Sequence, residues 1–125
     1  MTEDRRDTVV AVTGASGYIG TSLLQNLEEE GAQRKLVAID INPLPFPIHN
    51  ITVHRQDVTE SIEDVLRRNR VTTLVHLAFI SRRGRNRREV ASIRQANLDA
   101  LKAVLDSCLR AWVRHFIYLS SHTVY

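Results

Sequence analysis

The chain has 125 residues, of which 43% are hydrophobic and 25% are charged, with 5 Gly and 3 Pro. These proportions suit one globular domain and exclude collagen-like, low-complexity and disordered classes. No apolar run approaches the ~18 residues of a membrane span, and the charged first residues do not read as a signal peptide. Because Cys108 is the single cysteine, no disulfide can form within the chain. We therefore expect no membrane partner and a reducing, cytoplasmic setting.

The basic residues are unevenly distributed. The formal net charge is +3, from 17 basic and 14 acidic residues, which is too small to indicate nucleic-acid binding. All the basic residues except Lys35 and Lys102 are arginine, and five of them lie within Arg82–Arg88. Two explanations of that cluster stay open: a general preference for arginine, and a role in binding phosphate.

The first half of the chain predicts a strand, a helix, a strand and a loop. Thr8–Thr13 is a short run of β-branched residues, typical of a strand that is buried on both faces. Apolar residues then recur at helical spacing from Ile19 to Leu27. Leu36–Asp40 predicts a second buried strand, and prolines at alternate positions make 41–50 a loop.

The second half continues the alternation. Ile51–Arg55 predicts a strand, Ser61–Arg70 a short helix and Thr72–Leu77 another strand. The longest helix is predicted from Glu89 to about Arg110, followed by a last strand over His115–Leu119. We expect the buried stripe of that helix to carry Val90, Ile93, Leu101, Val104, Leu105, Cys108 and Trp112.

Strands that alternate with helices predict an α/β fold with one doubly wound parallel sheet. The expected strand order is 3-2-1-4-5, with helices on both faces and a single domain over residues 1–125. Such sheets bind ligands outside the carboxyl ends of the strands, where the strand order reverses between strands one and four.

Glycines follow the first strand at the spacing of a dinucleotide-binding turn. Gly14 permits the tight turn, Gly17 lets the backbone approach a pyrophosphate, and Gly20 allows the helix to pack closely on the sheet. The spacing alone also fits an ordinary strand-to-helix turn. Asp40, however, ends the next strand, where a carboxylate binds the ribose hydroxyls of NAD. Together these residues favour nucleotide binding.

Five ordered matches resemble the extended branch of the short-chain dehydrogenase/reductase family, the NAD-dependent epimerases and dehydratases of nucleotide sugars. The fingerprint Thr-Gly-x-x-Gly-x-x-Gly runs from Thr13 to Gly20. The other matches are Asp57-Val58, His76-Leu77-Ala78, Asn97 in the long helix, and the segment Tyr118–Tyr125 with its Ser-Ser-x-x-Val-Tyr pattern.

This resemblance implies a Rossmann-type fold and a set of site residues. Ser121 is implied as a catalytic residue that hydrogen-bonds the substrate hydroxyl. The implied cofactor-binding residues are Gly14, Ser16, Gly17, Tyr18, Ile19, Gly20, Asp40, Ile41, Asp57, Val58, Leu77, Ala78, Asn97 and Ser120. We expect NAD rather than NADP, because Asp40 would repel a 2′-phosphate and no arginine follows it. No metal is expected, since the histidines show no ligand spacing.

The sequence departs from the family at the catalytic Tyr-x-x-x-Lys. Tyr18 and Tyr118 are followed at that spacing by Ser22 and His122, and Tyr125 is the last residue. We expect the chain to be the N-terminal part of a longer enzyme, truncated after strand five, without the substrate lobe and inactive alone.

The resemblance implies a nucleotide-sugar-like substrate and a homodimer through the helix Glu89–Arg110. The alternative is a non-catalytic NAD(P)-binding regulatory or redox-sensing module of the same fold.

Overall fold

Strands and helices alternate in the computed structural model of the chain, which describes residues 8–30, 34–80 and 83–119. Their bounds agree closely with those predicted. In chain order they are β1 (Val9–Thr13), α1 (Tyr18–Glu29), β2 (Lys35–Asp40), β3 (Ile51–Arg55), α2 (Glu63–Arg68), β4 (Thr73–His76), α3 (Arg87–Arg110) and β5 (His115–Tyr118).

The strands form one parallel five-stranded sheet in the order β3-β2-β1-β4-β5. The predicted order is therefore confirmed. Thr13 at the end of β1 is in register with Ile39 on β2 and with His76 on β4. The carboxyl ends of the three central strands consequently meet at one edge, where the order of the sheet reverses.

The core has a layer on each face of the sheet. On one face Ala11, Leu74 and Val104 belong to a cluster that α2 and α3 cover. On the other face Val12 packs with Leu24 of α1. Because β1 has its side chains in both layers, all five of its residues are buried, as a central parallel strand requires.

The helix α3 buries fewer of its apolar residues against the sheet than the sequence predicted. Val104 and Cys108 are buried as predicted, together with Ala100 and Ser107. The Ser107 hydroxyl accepts the backbone N–H of Ile62 at 3.1 Å, which explains a buried polar residue on this stripe.

Three expected members of the stripe, Val90, Leu105 and Trp112, are exposed, so their prediction was wrong. Leu105 follows the buried Val104 and therefore points about 100° away from it around the helix. Trp112 lies beyond the last residue of α3 in a left-handed conformation with φ of 59°. Because the chain has already left the helix there, this side chain is 84% exposed.

The start of α3 is set by a side-chain cap. The Asn86 side chain accepts the backbone N–H of Glu89 at 2.9 Å, so the helix begins at Arg87, two residues before the predicted start. Arg85, Arg87 and Arg88 are all exposed around this cap.

Candidate functional site

A cleft of about 510 Å³ opens where β1, β2 and β4 end. It lies at the reversal of strand order, as predicted. The predicted residues that line it are Gly14, Ser16, Gly17, Asp40, Ile41, Asp57, Val58, Leu77, Ala78 and Asn97. Four separate loops thus contribute to one site.

Two glycines of the turn are required by the packing of the protein itself. Gly14 has φ of +68°, and a Cβ there would lie 2.7 Å from the backbone nitrogen of Ala78. A Cβ on Gly20 would lie 2.5 Å from the carbonyl oxygen of Gly14. Both distances are far below a normal contact, so any side chain at either position would push the turn away from the sheet.

Gly17 differs from these two glycines. A Cβ there would meet only the Gly14 oxygen, at 3.4 Å, which is an ordinary contact. The described part of the protein therefore leaves space at Gly17, and that space belongs to the cleft. The N-cap of α1 is Gly17, so no N-cap side chain engages the N–H groups of the first turn, and among the described residues no other side chain is seen to bond them. Free amides at a helix N-terminus favour an anion.

The remaining predicted residues of the turn lie outside the lining of the cleft. Tyr18 and Ile19 start α1 and are exposed, and Gly20 is buried beneath the turn. Ile19, the first of the apolar residues at helical spacing, is 50% exposed. Thr21 instead faces the sheet, donating its hydroxyl to the Ala15 carbonyl at 3.1 Å.

The carboxylate of Asp40 connects β2 to the glycine turn. Its Oδ2 accepts the backbone N–H of Ser16 at 2.9 Å and the Ser16 hydroxyl at 2.7 Å. Its Oδ1 accepts the backbone N–H of Asn42 at 2.8 Å. An ionised carboxylate offers about four acceptor positions. The described residues thus fill three of these positions, and Asp40 itself lines the cleft.

Asp57 and Val58 form another wall of the cleft. Oδ1 of Asp57 accepts both the backbone N–H and the hydroxyl of Thr59 at 2.9 Å. This local turn holds the segment after β3 in place, while Val58 is buried against the sheet. Ile41, which is 60% exposed, adds an apolar surface on the side of β2. The cleft therefore combines apolar surface with polar edges, as binding sites for small molecules do.

The end of β4 is held by a buried hydroxyl. Oγ1 of Thr13 accepts the backbone N–H groups of Leu77 at 3.0 Å and Ala78 at 3.2 Å. The same oxygen lies 2.7 Å from Nδ1 of His76. Burial lowers the pKa of His76 below the ordinary value for histidine, which favours the neutral ring. The His76 ring stacks on Tyr118 with a centroid distance of 6.0 Å.

Asn97 anchors the segment that follows β4. Its Oδ1 accepts the backbone N–H of Ile80 at 2.7 Å, and its Nδ2 donates to the Ile80 carbonyl at 3.1 Å. A polar amide beside the apolar stripe of α3 therefore has both of its hydrogen-bonding groups satisfied. It lines the cleft and fixes the backbone of the neighbouring wall.

The sequence did not indicate several residues of the lining. They are Ile39, Asn42, Gln56, Thr59, Phe79, Ile80, Ala96 and Ala100. Most of them flank a predicted site residue in the chain, so widening each motif by one or two positions would have found them. The predicted residues Ser120 and Ser121, like Arg82, lie outside the described residues.

Other features of the described residues bear on chemistry. Burial raises the pKa of the Cys108 thiol to about 11, so this cysteine is protonated at neutral pH. Within residues 8–30, 34–80 and 83–119, no group of three His, Cys, Asp or Glu side chains could hold a metal ion. In the same part of the chain, the helices are too short or too polar to cross a membrane.

Comparison with known proteins places these features in a family. Residues 10–125 match the family model described as NAD dependent epimerase/dehydratase family. A dTDP-D-glucose 4,6-dehydratase of Dictyostelium discoideum is 21% identical over 93% of this chain. A 3-beta-hydroxysteroid dehydrogenase of Mycolicibacterium neoaurum is 28% identical over 92% of this chain.

A solved structure is also similar. MoeE5 in complex with UDP-glucose and NAD superimposes with a TM-score of 0.78, at 30% identity and over 93% of this chain. The chain spans 37% of MoeE5, 29% of the dehydratase and 32% of the steroid dehydrogenase. The similarity therefore covers nearly all of this chain and about a third of each relative.

Proposed function

Because the chain belongs to the NAD dependent epimerase/dehydratase family, we propose that it forms the NAD-binding part of an epimerase, dehydratase or reductase. The observation that carries this proposal is the Asp40 carboxylate beside the glycine turn at the reversal of strand order. Bound NAD supplies hydride acceptance and return in such enzymes. The chain itself supplies binding and orientation.

The residues of the cleft fit the parts of NAD. The space at Gly17 and the free N–H groups of α1 suit the pyrophosphate. Asp40 suits the hydroxyls of the adenosine ribose, because it lines the cleft and Oδ1 accepts one hydrogen bond where a carboxylate oxygen can accept two. Asp57 and Val58 suit the adenine, offering a carboxylate edge and an apolar face.

Asp40 also supports a preference for NAD over NADP. Its charge would face the additional phosphate of NADP, and Ile41 and Asn42 follow it where a cation would be needed. Since an unfavourable carboxylate–phosphate pair costs ~1–3 kcal/mol, we expect at least roughly a tenfold preference.

The substrate class proposed is a nucleotide sugar. This choice is supported by MoeE5, whose solved complex contains UDP-glucose and NAD. Because a steroid dehydrogenase is also among the relatives, membership of the family does not by itself indicate a nucleotide sugar as the substrate. Ser121 would hydrogen-bond the reacting hydroxyl, and the Tyr–Lys pair of the family is not among the 125 residues. We accordingly propose that this chain is inactive alone.

A homodimer through α3 is part of the proposal. Leu98, Leu105 and Leu109 recur at helical spacing on the outer side of α3, and all three are exposed, Leu109 by 77%. A second copy is the proposed occupant, and analytical ultracentrifugation of wild type and Leu109→Arg measures the association. A monomeric wild type at high concentration would contradict this part.

The binding proposal is tested by calorimetry. NAD, NADP and a nucleoside diphosphate are titrated into the purified chain at moderate salt. We expect NAD to bind and NADP to bind at least tenfold more weakly, and absence of NAD binding would refute the proposal. To separate an enzyme from a non-catalytic module, any longer reading frame is searched for Tyr-x-x-x-Lys, whose absence favours the module.

A further inference from the structure

We propose that His76 is a positioning residue of the cofactor cleft, because it orients the Thr13 hydroxyl that holds the Leu77–Ala78 turn. The inference rests on the proposed function, since the turn that it concerns lines the proposed NAD site. His76 itself is 2% exposed and does not line the cleft. It acts through Thr13.

The direction of the Thr13–His76 hydrogen bond follows from counting donors. A hydroxyl has one proton to donate and two lone pairs to accept with. The N–H groups of Leu77 and Ala78 both point to Oγ1 of Thr13, and the Leu77 N–H is shared with the Thr13 carbonyl at 3.1 Å. With its lone pairs engaged, the hydroxyl must donate to Nδ1 of His76. The ring is therefore neutral with its proton on Nε2.

The turn that Thr13 holds has no room to move toward β1. Gly14 approaches Leu77 and Ala78 so closely that even a Cβ would lie 2.7 Å from their backbone atoms. On the side of β2, the backbone N–H of Gly14 donates a hydrogen bond to the Ile39 carbonyl at 3.0 Å. The width of the cleft between the glycine turn and β4 thus depends on the hydroxyl that His76 orients.

Protonation of His76 would reverse the hydrogen bond. An N–H on Nδ1 would face an oxygen that already accepts two amide N–H groups, so three donors would compete for two lone pairs. Adding a proton would also place a cation in a buried site. Burial lowers the pKa of His76 accordingly.

The described groups around His76 offer that cation no counter-charge. From β5 the rings of Phe116 and Tyr118 stack against it, and the Tyr118 phenol is its titratable neighbour there. From β1 it meets the uncharged Thr13. The residues that α3 buries on the same face of the sheet are Ala100, Val104, Ser107 and Cys108, and the Cys108 thiol is protonated because its pKa is raised.

Three consequences can be measured. The affinity for NAD should fall as pH decreases below the ordinary histidine range, since a proton on His76 and NAD in the cleft disfavour each other. By the same reciprocity, NAD should lower the pKa of His76. The ring of the wild type should show an unprotonated Nδ1 and a protonated Nε2 at neutral pH.

The experiment combines binding with nitrogen NMR of the histidine rings in the full chain. NAD affinity is measured from about pH 8 to pH 5 for wild type, Thr13→Val, Thr13→Ser and His76→Phe. We expect Thr13→Val to weaken NAD binding at least tenfold and Thr13→Ser to bind NAD within threefold of the wild type. We expect His76→Phe to bind NAD more weakly than the wild type, with an affinity that no longer falls as pH decreases. The matched control is His54→Phe, because His54 is a half-buried histidine whose pKa is also lowered by burial, on β3 and outside the lining of the cleft.

The outcomes separate the two hypotheses. If the wild type binds no NAD at any pH, the proposed function fails, while the ring tautomer still tests the role of His76. If NAD binds but Nδ1 carries the proton, or if NAD affinity is independent of pH over this range, the positioning role is refuted. Should His76→Phe fail to fold, the tautomer and the wild-type pH profile decide alone.

Discussion

Neutralising Asp40 should narrow the preference for NAD over NADP. Asp40→Asn removes the negative charge and keeps the size and shape of the side chain. The remaining oxygen can still accept from Ser16 or from Asn42 but not from both, because each now bonds to a different carboxylate oxygen. The variant thus changes the charge of the cleft and weakens one connection of the glycine turn.

The magnitude follows from the position of the carboxylate. Two unit charges at 4 Å interact by about 1 kcal/mol in water and by about 4 kcal/mol at an effective dielectric constant of 20. Asp40 is half-buried and lines the cleft, so its repulsion of a 2′-phosphate lies between these two values. We expect ~1.4–3 kcal/mol, which is a factor of roughly 10–150 in the ratio of the two affinities.

The assay is calorimetric titration of NAD and NADP at two salt concentrations. Asp57→Asn is the matched control, because Asp57 is a second carboxylate of the same cleft and its Oδ1 is also engaged by a neighbouring residue. Asp40→Asn should bring the two affinities together, and Asp57→Asn should leave their ratio unchanged. Equal binding of NAD and NADP by the wild type, or equal effects of both variants, would refute the reasoning.

Three further predictions concern stability, charge and catalysis. Because burial raises the pKa of Cys108 to about 11, its thiol ionises at a lower pH in the unfolded chain than in the folded one. The free energy of unfolding should therefore fall as pH rises above about 9. Urea denaturation of wild type and Cys108→Ala over this pH range measures the difference, and identical profiles for the two proteins would contradict the prediction. Arg82→Ala should weaken binding of a nucleoside diphosphate and reduce its salt dependence, whereas identical curves would favour a merely solvated arginine cluster. The 125-residue chain should show no hydride transfer by absorbance of NADH, and in a longer chain that has the Tyr–Lys pair Ser121→Ala should lower kcat more than it weakens NAD binding.

The fold could be predicted because its determinants are local in the sequence. Thr8–Thr13 and Leu36–Asp40 are apolar runs that are too short for helices and too apolar for strands exposed on one face. Such runs are typical of parallel strands buried on both faces. The handedness of the crossover connections then restricts the order of the sheet. The glycine turn could be predicted for the same reason, since steric requirements act within a few residues of Gly14.

The errors arise where the chain leaves a regular element. The spacing of apolar residues continues the stripe of α3 to Trp112, but the helix ends at Arg110 and Trp112 has a positive φ. The spacing of apolar residues does not predict the left-handed conformation of Trp112. Asn97 was identified as a site residue through the resemblance, yet its hydrogen-bond partner Ile80 is 17 positions away in a loop. Such a pairing depends on how α3 lies across the sheet.

Asp40 shows why a motif residue has to be interpreted with its neighbours. The sequence indicates a ribose-binding carboxylate, while the structure adds that the same carboxylate holds Ser16 and therefore the glycine turn. Any substitution of Asp40 consequently changes the affinity for both cofactors through the turn. The two cofactors differ only at the 2′ position, where Asp40 would accept a hydrogen bond from the hydroxyl of NAD and repel the phosphate of NADP. The ratio of the two affinities, rather than either affinity by itself, is therefore the quantity that isolates what Asp40 does at the 2′ position.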